Sequence, residues 1–371
     1  MSKLFSTIEL GPLKLNNRIV IAPMCQYSAT EGLTNSWHLL HLGNLTLSGA
    51  STLIIEATAV ERIGRITDGC LGLWNDAQQA ALKESIDTIR PYAPTKLLIQ
   101  LSHAGRKGSS HKPWETGKLM SQAEGGWQPV APSAISHGID EPPPTALDEE
   151  GLIRIRQAFV DSAKRAVAIG LDGIELHFAH GYLLHEFLSP ISNQRTDEYG
   201  GSLENRMRFP LSVFEAVRAV IPAHIALGVR ISATDWVEGG WHIKESNRLA
   251  QRLEEMGCHF LHVSSGGISP QQKIPLGPSY QVHLAEEIKS HVKTMPIITV
   301  GLINDPFQAE TILQDGRADL VALARGILYD PRWPWHAAAA LGAEIIAPPQ
   351  YWRCQPTDQR NLFGGMRINH R

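Results

Sequence analysis

The chain has 371 residues, 43% of them apolar and 19% charged, and its formal net charge is −3. That length suits one barrel with insertions, the apolar fraction supports a sizeable core and excludes a disordered chain, and the charge gives no pull toward nucleic acid. Four scattered cysteines (Cys25, Cys70, Cys258 and Cys354) form no CxxC pair, which argues against an iron–sulfur cluster, a zinc ribbon or a disulfide scaffold.

In chain order, the opening "MSKLFSTIELGPLKLNNRI" lacks the apolar run of a signal peptide, and no later stretch reaches membrane-spanning length. The expectation is a cytoplasmic protein with no membrane partner. Eight short β-branched or leucine-rich runs follow: "RIVIAPM", "STLIIEAT", "KLLIQLSH", "GIELHFAH", "IALGVRIS", "HFLHVSSG", "IITVGLI" and "ADLVALARG". They lack strict alternation, as parallel strands buried on both faces do. Helical patterns separate most of them. Asn75 can cap "DAQQAALKESIDTI". Thr145 and Asp148 stand in capping-box spacing ahead of a long helix that stops at Gly170. "KESNRLAQRLEEMG" ends at Gly257, and "NDPFQAETILQDG" has Pro306 in its first turn and Gly316 as its stop. Strand then helix, eight times, predicts an α/β protein with a single-domain (β/α)8 TIM barrel over residues 1–354. A Pro-, Gly-, Ser- and Trp-rich insertion, residues 104–145, interrupts the β3–α3 region on the side where barrels carry their chemistry. Residues 355–371 form a C-terminal tail with few apolar anchors, expected to be disordered or at a subunit interface.

Functional residues of a barrel sit at the C-terminal ends of its strands. At the fourth end, "ELHFAHGYLLHEFLSP" brings His177, His180 and Tyr182 together. Two imidazoles three residues apart can converge on one carbonyl oxygen and polarise it, with Tyr182 delivering a proton. A metal site using His103 as a further ligand, and an ordinary polar strand end, are the rival readings. Gln100 offers a paired donor and acceptor for an amide-like ring edge, and Arg230 a fixed positive charge. Ala22 and Ala57 are small enough to admit a flat ring. Cys25, after Pro23 and Met24, is either a lone thiol in the mouth or a small buried hydrophobe. "SSGG" (264–267), Gly301 and Arg325 at the last three ends suit a phosphate. Together these demands match FMN.

"NRIVIAPMCQYSA", "EATAVERIGRIT", "QLSHAGRK", "HVSSGG" and above all "ELHFAHGYLLHEFLSPISNQRTDEYGGSLENRMRF" stand in one order. That set resembles the old yellow enzyme family of FMN-dependent ene-reductases, in its bacterial thermophilic-like class with the xenobiotic reductases, over residues 3–354. The resemblance implies tightly bound, non-covalent FMN, with NADPH or NADH as transient hydride donor. It implies flavin contacts from Ala22, Pro23, Met24, Cys25, Ala57, Gln100 and Arg230, and phosphate contacts from Gly301, Ala324 and Arg325. Family members often have glycine where Ala324 stands. It also implies that Tyr27, His177 and His180 hold an enone, maleimide or nitro substrate. The flavin N5 then gives hydride to the β-carbon, and Tyr182 gives the proton. "PPQYWRC" resembles the segment in which an arginine, here Arg353, enters a neighbouring subunit's site, with Trp352 helping to close it; this implies a homodimer or dimer-based tetramer.

Three alternatives stay open on sequence. A dienoyl-CoA-reductase-like role would need a cysteine cluster and an added domain. A metal-dependent hydrolase would use His177, His180 and His103. A redox-sensing flavin binder would lack turnover.

Overall fold

The computed structural model describes residues 2–365. Eight parallel strands close into a barrel: β1 (Ile19–Ile21), β2 (Thr52–Ala59), β3 (Lys96–Ser102), β4 (Gly173–Phe178), β5 (Ala226–Ser232), β6 (Phe260–Ser264), β7 (Ile297–Val300) and β8 (Leu320–Leu323). Each pairs with its chain neighbour and β8 returns to β1, so the sheet has no open edge. These are the eight runs expected from sequence.

Around the barrel lie α1 (Ser36–Thr46), α2 (Asp76–Ile89), α3 (Glu149–Ile169), α4 (Leu183–Leu188), α5 (Leu203–Val220), α6 (Ile243–Glu255), α7 (Val282–Lys289), α8 (Pro306–Gln314), α9 (Arg325–Tyr329) and α10 (Trp333–Ala340). Asn75 caps α2 by accepting the Gln78 N–H at 3.0 Å. Gly170, at φ 89°, ends α3 in the left-handed conformation. One expected cap differs. Thr145 lies in a two-residue strand that pairs with Val130–Ala131, and Asp148 itself caps α3 through the Gly151 N–H at 2.8 Å. No helix among the described residues is long and apolar enough to cross a membrane.

The barrel interior changes character along its axis. Its lower layer is apolar, with Val20, Ile54, Leu98, Ala226, Phe260, Ile298 and Leu320 packed on Leu10, Leu13 and Leu15. Those leucines belong to an N-terminal hairpin (Ile8–Leu10 with Leu13–Leu15) laid over the N-terminal mouth. Phe260 fills the centre, where a Cβ on Gly228 would sit 2.3 Å from its ring. Two residues further along, the inward positions are Gln100, Glu175, Arg230 and His262, all buried. Polar groups so enclosed need partners or a ligand.

The 104–145 insertion crosses the C-terminal face. Arg106 Nη2 donates to the Ile268 carbonyl at 2.6 Å and Lys107 Nζ to the His180 carbonyl at 2.8 Å, tying it to the ends of β4 and β6. The described part of the tail, 355–365, folds back against the body. Leu362 and Phe363 are buried with Trp335 and Ile345, and the Ile345 N–H donates to the Leu362 carbonyl at 2.8 Å. These two side chains are the anchors that give the segment a fixed position. Arg367 and Arg371 lie outside the described residues.

Candidate active site

The run that ends β4 makes a left-handed turn, with His180 at φ 60° and Gly181 at φ 71°. A Cβ on Gly181 would lie 2.1 Å from the Gly267 carbonyl oxygen, so only glycine fits there. His185 Nδ1 accepts the Gly181 N–H at 2.8 Å, and its Nε2 lies 2.9 Å from Asp235 Oδ1, both side chains fully buried. Asp235 Oδ2 accepts in turn from the Ser189 hydroxyl and the Trp241 N–H. This scaffold aims three side chains at one space. His177 Nδ1 accepts the Ala179 N–H at 3.2 Å, which leaves its proton on Nε2, 3.4 Å from His180 Nδ1. The two imidazoles stand edge to face at 5.1 Å, and the Tyr182 ring lies 5.0 Å from that of His177. His180 Nε2 sits 2.8 Å from Ser264 Oγ.

Electrostatics fix the protonation states. Burial first, then the Arg230 charge, holds both imidazoles well below the usual histidine range, so they are neutral. Burial pushes the Tyr182 phenol well above its ordinary value, so it keeps its proton. Cys25 behaves alike: burial, then nearby Cys70 and Glu56, keeps it a thiol.

Below this layer Gln100 Nε2 donates to Glu175 Oε1 at 2.7 Å, and Glu175 Oε2 lies 2.9 Å from His262 Nδ1. The Arg230 side chain, on a residue 7% exposed, makes no hydrogen bond among the described residues, and its Nε is enclosed without a partner. A cavity of about 260 Å³ opens beside it, running past Ser264, Gly301 and Ala324 to Arg325. Gly301 has φ 130°, and a Cβ there would meet Gln281 Nε2 at 2.8 Å. Arg325 is exposed and forms no ion pair among the described residues. Ala22 follows β1, its N–H donating to the Leu323 carbonyl of β8 at 2.9 Å, and Ala57 follows a register shift in β2; both are buried. Pro23, Met24 and Cys25 follow half-buried. Tyr27, at φ 49°, stands edge-on to Trp114 of the insertion at 5.9 Å.

Residues 3–344 match the NADH:flavin oxidoreductase / NADH oxidase family. The chain belongs to that family. An NADPH dehydrogenase of Geobacillus thermodenitrificans is 42% identical over 94% of this chain and 98% of its own length. Morphinone reductase in complex with tetrahydroNAD superposes with a TM-score of 0.74 at 29% identity, over 94% of each chain. 2-Naphthoyl-CoA reductase gives 0.83 at 25% identity, covering 93% of this chain, which spans 53% of that one. The old yellow enzyme resemblance read from sequence is borne out, and the protein is an FMN-dependent NAD(P)H oxidoreductase.

The site fits the flavin that this NADH:flavin oxidoreductase family uses. A buried, unpartnered guanidinium at Arg230 calls for an electron-rich acceptor. The cradle at Gly301, which lines the cavity without a side chain and has the exposed Arg325 at its mouth, calls for a phosphate.

Two sequence-read residues lie elsewhere in this family member. Trp352 Nε1 donates to the Ala347 carbonyl at 2.9 Å. Ala347 lines a cavity with Ser51 and Lys96, at the N-terminal ends of β2 and β3. Trp352 and the exposed Arg353 are thus on the far side from His177, and could meet this site only in another copy of the chain. His103, the candidate third ligand, is spent on Glu61 at 2.8 Å and the Gly105 N–H at 3.0 Å. Sequence reading passed over Lys107, Glu175, His185, Asp235, His262 and Gln281. For two of them a signal existed: Glu175 and His262 stand two residues from His177 and Ser264 in their strands, on the same inward face.

Proposed function

We propose that the protein is an ene-reductase that reduces the activated C=C bond of α,β-unsaturated carbonyl, maleimide or nitro compounds. The observation that carries this reading is the pairing of two neutral imidazoles with a protonated phenol around one space on the C-terminal face. A metal site or a cationic acid would need other protonation states or other neighbours than Arg230 and Lys107. The substrate's carbonyl or nitro oxygen takes the place of His180 as acceptor for the His177 Nε2 proton, and His180 turns its own N–H to the same oxygen. Both donors are neutral, so they polarise the oxygen without being titrated by it. Tyr182 gives its phenolic proton to the α-carbon. Tyr27 packs on the substrate from the insertion side.

FMN is held by Ala22 to Cys25, Ala57, Gln100 and Arg230 at its ring, and by the backbone of Gly301 and Ala324 with Arg325 at its phosphate. When bound it supplies the hydride chemistry that links NADPH, or NADH, to the substrate. Trp352 and Arg353 serve the site of a second copy in a homodimer or a dimer-based tetramer.

The test is the visible spectrum of the purified protein without oxygen, before and after NADPH, then after 2-cyclohexenone. A flavin band that bleaches with NADPH and returns with the enone is the expected result. A band that bleaches and returns only with air would leave a flavin reductase with no ene-reductase activity, and the reading would be wrong.

A further inference from the structure

Delivery of a proton by Tyr182 creates a charge problem. The O–H bond breaks as the α-carbon gains the proton, and the bonding pair stays behind as a phenolate until solvent restores it. The same burial that keeps the phenol protonated makes that phenolate costly. Of the groups around the ring, Cys25, Tyr27 and Cys70 are neutral or would add negative charge. Among the described residues one cation stands over the face of the ring. Lys107 Nζ stands over the Tyr182 ring, 4.9 Å from its centroid.

Lys107 comes from a short turn after β3 at the start of the insertion, and its ammonium is fixed from two sides. It donates to the His180 carbonyl at 2.8 Å and to the Gly267 carbonyl at 3.1 Å. Carbonyls hold an ammonium in place without neutralising it, so its charge remains available to the ring. The groups acting on it are Arg106, which opposes its charge, and Glu141 and, where ionised, Glu186, which favour it. Burial lowers its pKa to about 8, which still leaves it charged at neutral pH.

We propose that Lys107 is the positioning residue of the proton donor: its carbonyl-anchored ammonium lies on the face of Tyr182 and stabilises the phenolate that forms as the proton leaves. A phenolate spreads its charge into the ring, so a cation over the face acts on the reacting group without touching the substrate. The proposal rests on the proton-donor reading of Tyr182, and its test separates the two.

The experiment measures reoxidation of the NADPH-reduced holoenzyme by 2-cyclohexenone, which needs an α-proton, and by ferricyanide, which does not. It compares the parent with Lys107→Met, Lys107→Arg, Tyr182→Phe and the Lys107→Met/Tyr182→Phe double variant. Methionine keeps the length and apolar character of the stem, and arginine keeps the cation, so at least one variant retains the fold. Lys107→Met is expected to slow the enone reaction roughly tenfold to thirtyfold. Ferricyanide reoxidation should stay within twofold of the parent, and Lys107→Arg should recover most of the enone rate. In the Tyr182→Phe background the lysine change should cost nothing further, because the group it serves is gone. If Lys107→Met adds its full loss to Tyr182→Phe, or slows ferricyanide equally, Lys107 acts through the His180 turn and the proposal fails. If Tyr182→Phe leaves the enone rate intact, the underlying donor assignment is wrong instead.

Discussion

The Gly181 N–H is held by His185 Nδ1 at 2.8 Å, four residues further along the same chain, and His185 Nε2 lies 2.9 Å from Asp235 Oδ1. The buried pair therefore sets the conformation of the two left-handed residues that carry His180 and Tyr182 to their places.

Gly181→Ala is expected to break this arrangement. The new Cβ would meet the Gly267 carbonyl oxygen at 2.1 Å, in a backbone region that already costs a non-glycine residue about 1 kcal/mol or more. The turn must shift and move Tyr182 with it. Enone reduction should fall by roughly a hundredfold, since a displacement of about 1 Å is enough for that. The overall Tm should drop by only a few degrees. Stopped-flow reoxidation and a thermal melt check both, and an unchanged enone rate would show that the turn is not what aims Tyr182.

Much of the architecture was legible because barrel strands announce themselves as short apolar runs between capped helices. Asn75, Gly170 and Pro306 mark boundaries by local chemistry alone. His177, His180, Tyr182, Gln100 and Arg230 were legible as a set because the barrel rule says where strand ends meet. Lys107 was not, since nothing in "HAGRK" says which of two adjacent basic side chains points at the barrel mouth. Arg106 and Lys107 both turn inward, one to the Ile268 carbonyl and the other to His180. The anchoring of residues 355–365 was not legible for a related reason. Leu362 and Phe363 are two adjacent apolar residues in a polar stretch, and the cluster they complete is assembled from Trp335 and Ile345, already distant in the chain.

Glu175 should prove indispensable to the polar layer. It accepts from Gln100, faces His262 and offsets the cost of burying Arg230. Glu175→Leu leaves that guanidinium without a counter-charge, and removing one member of a buried charged set typically costs about 3–5 kcal/mol. Urea unfolding of the apoprotein should show a loss in that range. A spectrum of the purified variant should also show less retained flavin, because Gln100 and Arg230 lose their shared support. A loss below about 1 kcal/mol would mean that Arg230 does not depend on Glu175.

Stability should fall as the pH rises from about 6.5 to about 8. Burial pushes the carboxyls of Glu56 and Glu186 up to about 8, far above the ordinary value of 4.5. Each therefore binds its proton more tightly in the folded chain than in the unfolded one. That contribution is fully present below about pH 4.5 and is lost as the pH climbs through about 8. Buried histidines work in the opposite sense. His38 and His137 are lowered to about 4, and His177 and His180 are lowered also, so the folded chain binds fewer protons than the unfolded one below the ordinary histidine value of 6.5. Lys107, lowered to about 8 from 10.5, adds stability only as the pH rises beyond that point. The carboxyls therefore act without opposition between pH 6.5 and about 8. Urea midpoints taken across that interval should decline for the parent. They should decline less for Glu56→Gln and for Glu186→Gln, because an amide keeps the shape and cannot ionise. In Glu186→Gln the Arg106 N–H retains an acceptor like the one it meets at 2.8 Å. Equal slopes in parent and both variants would mean that these carboxyls are ionised in the fold, with Arg106 and Lys107 supplying the counter-charge at Glu186.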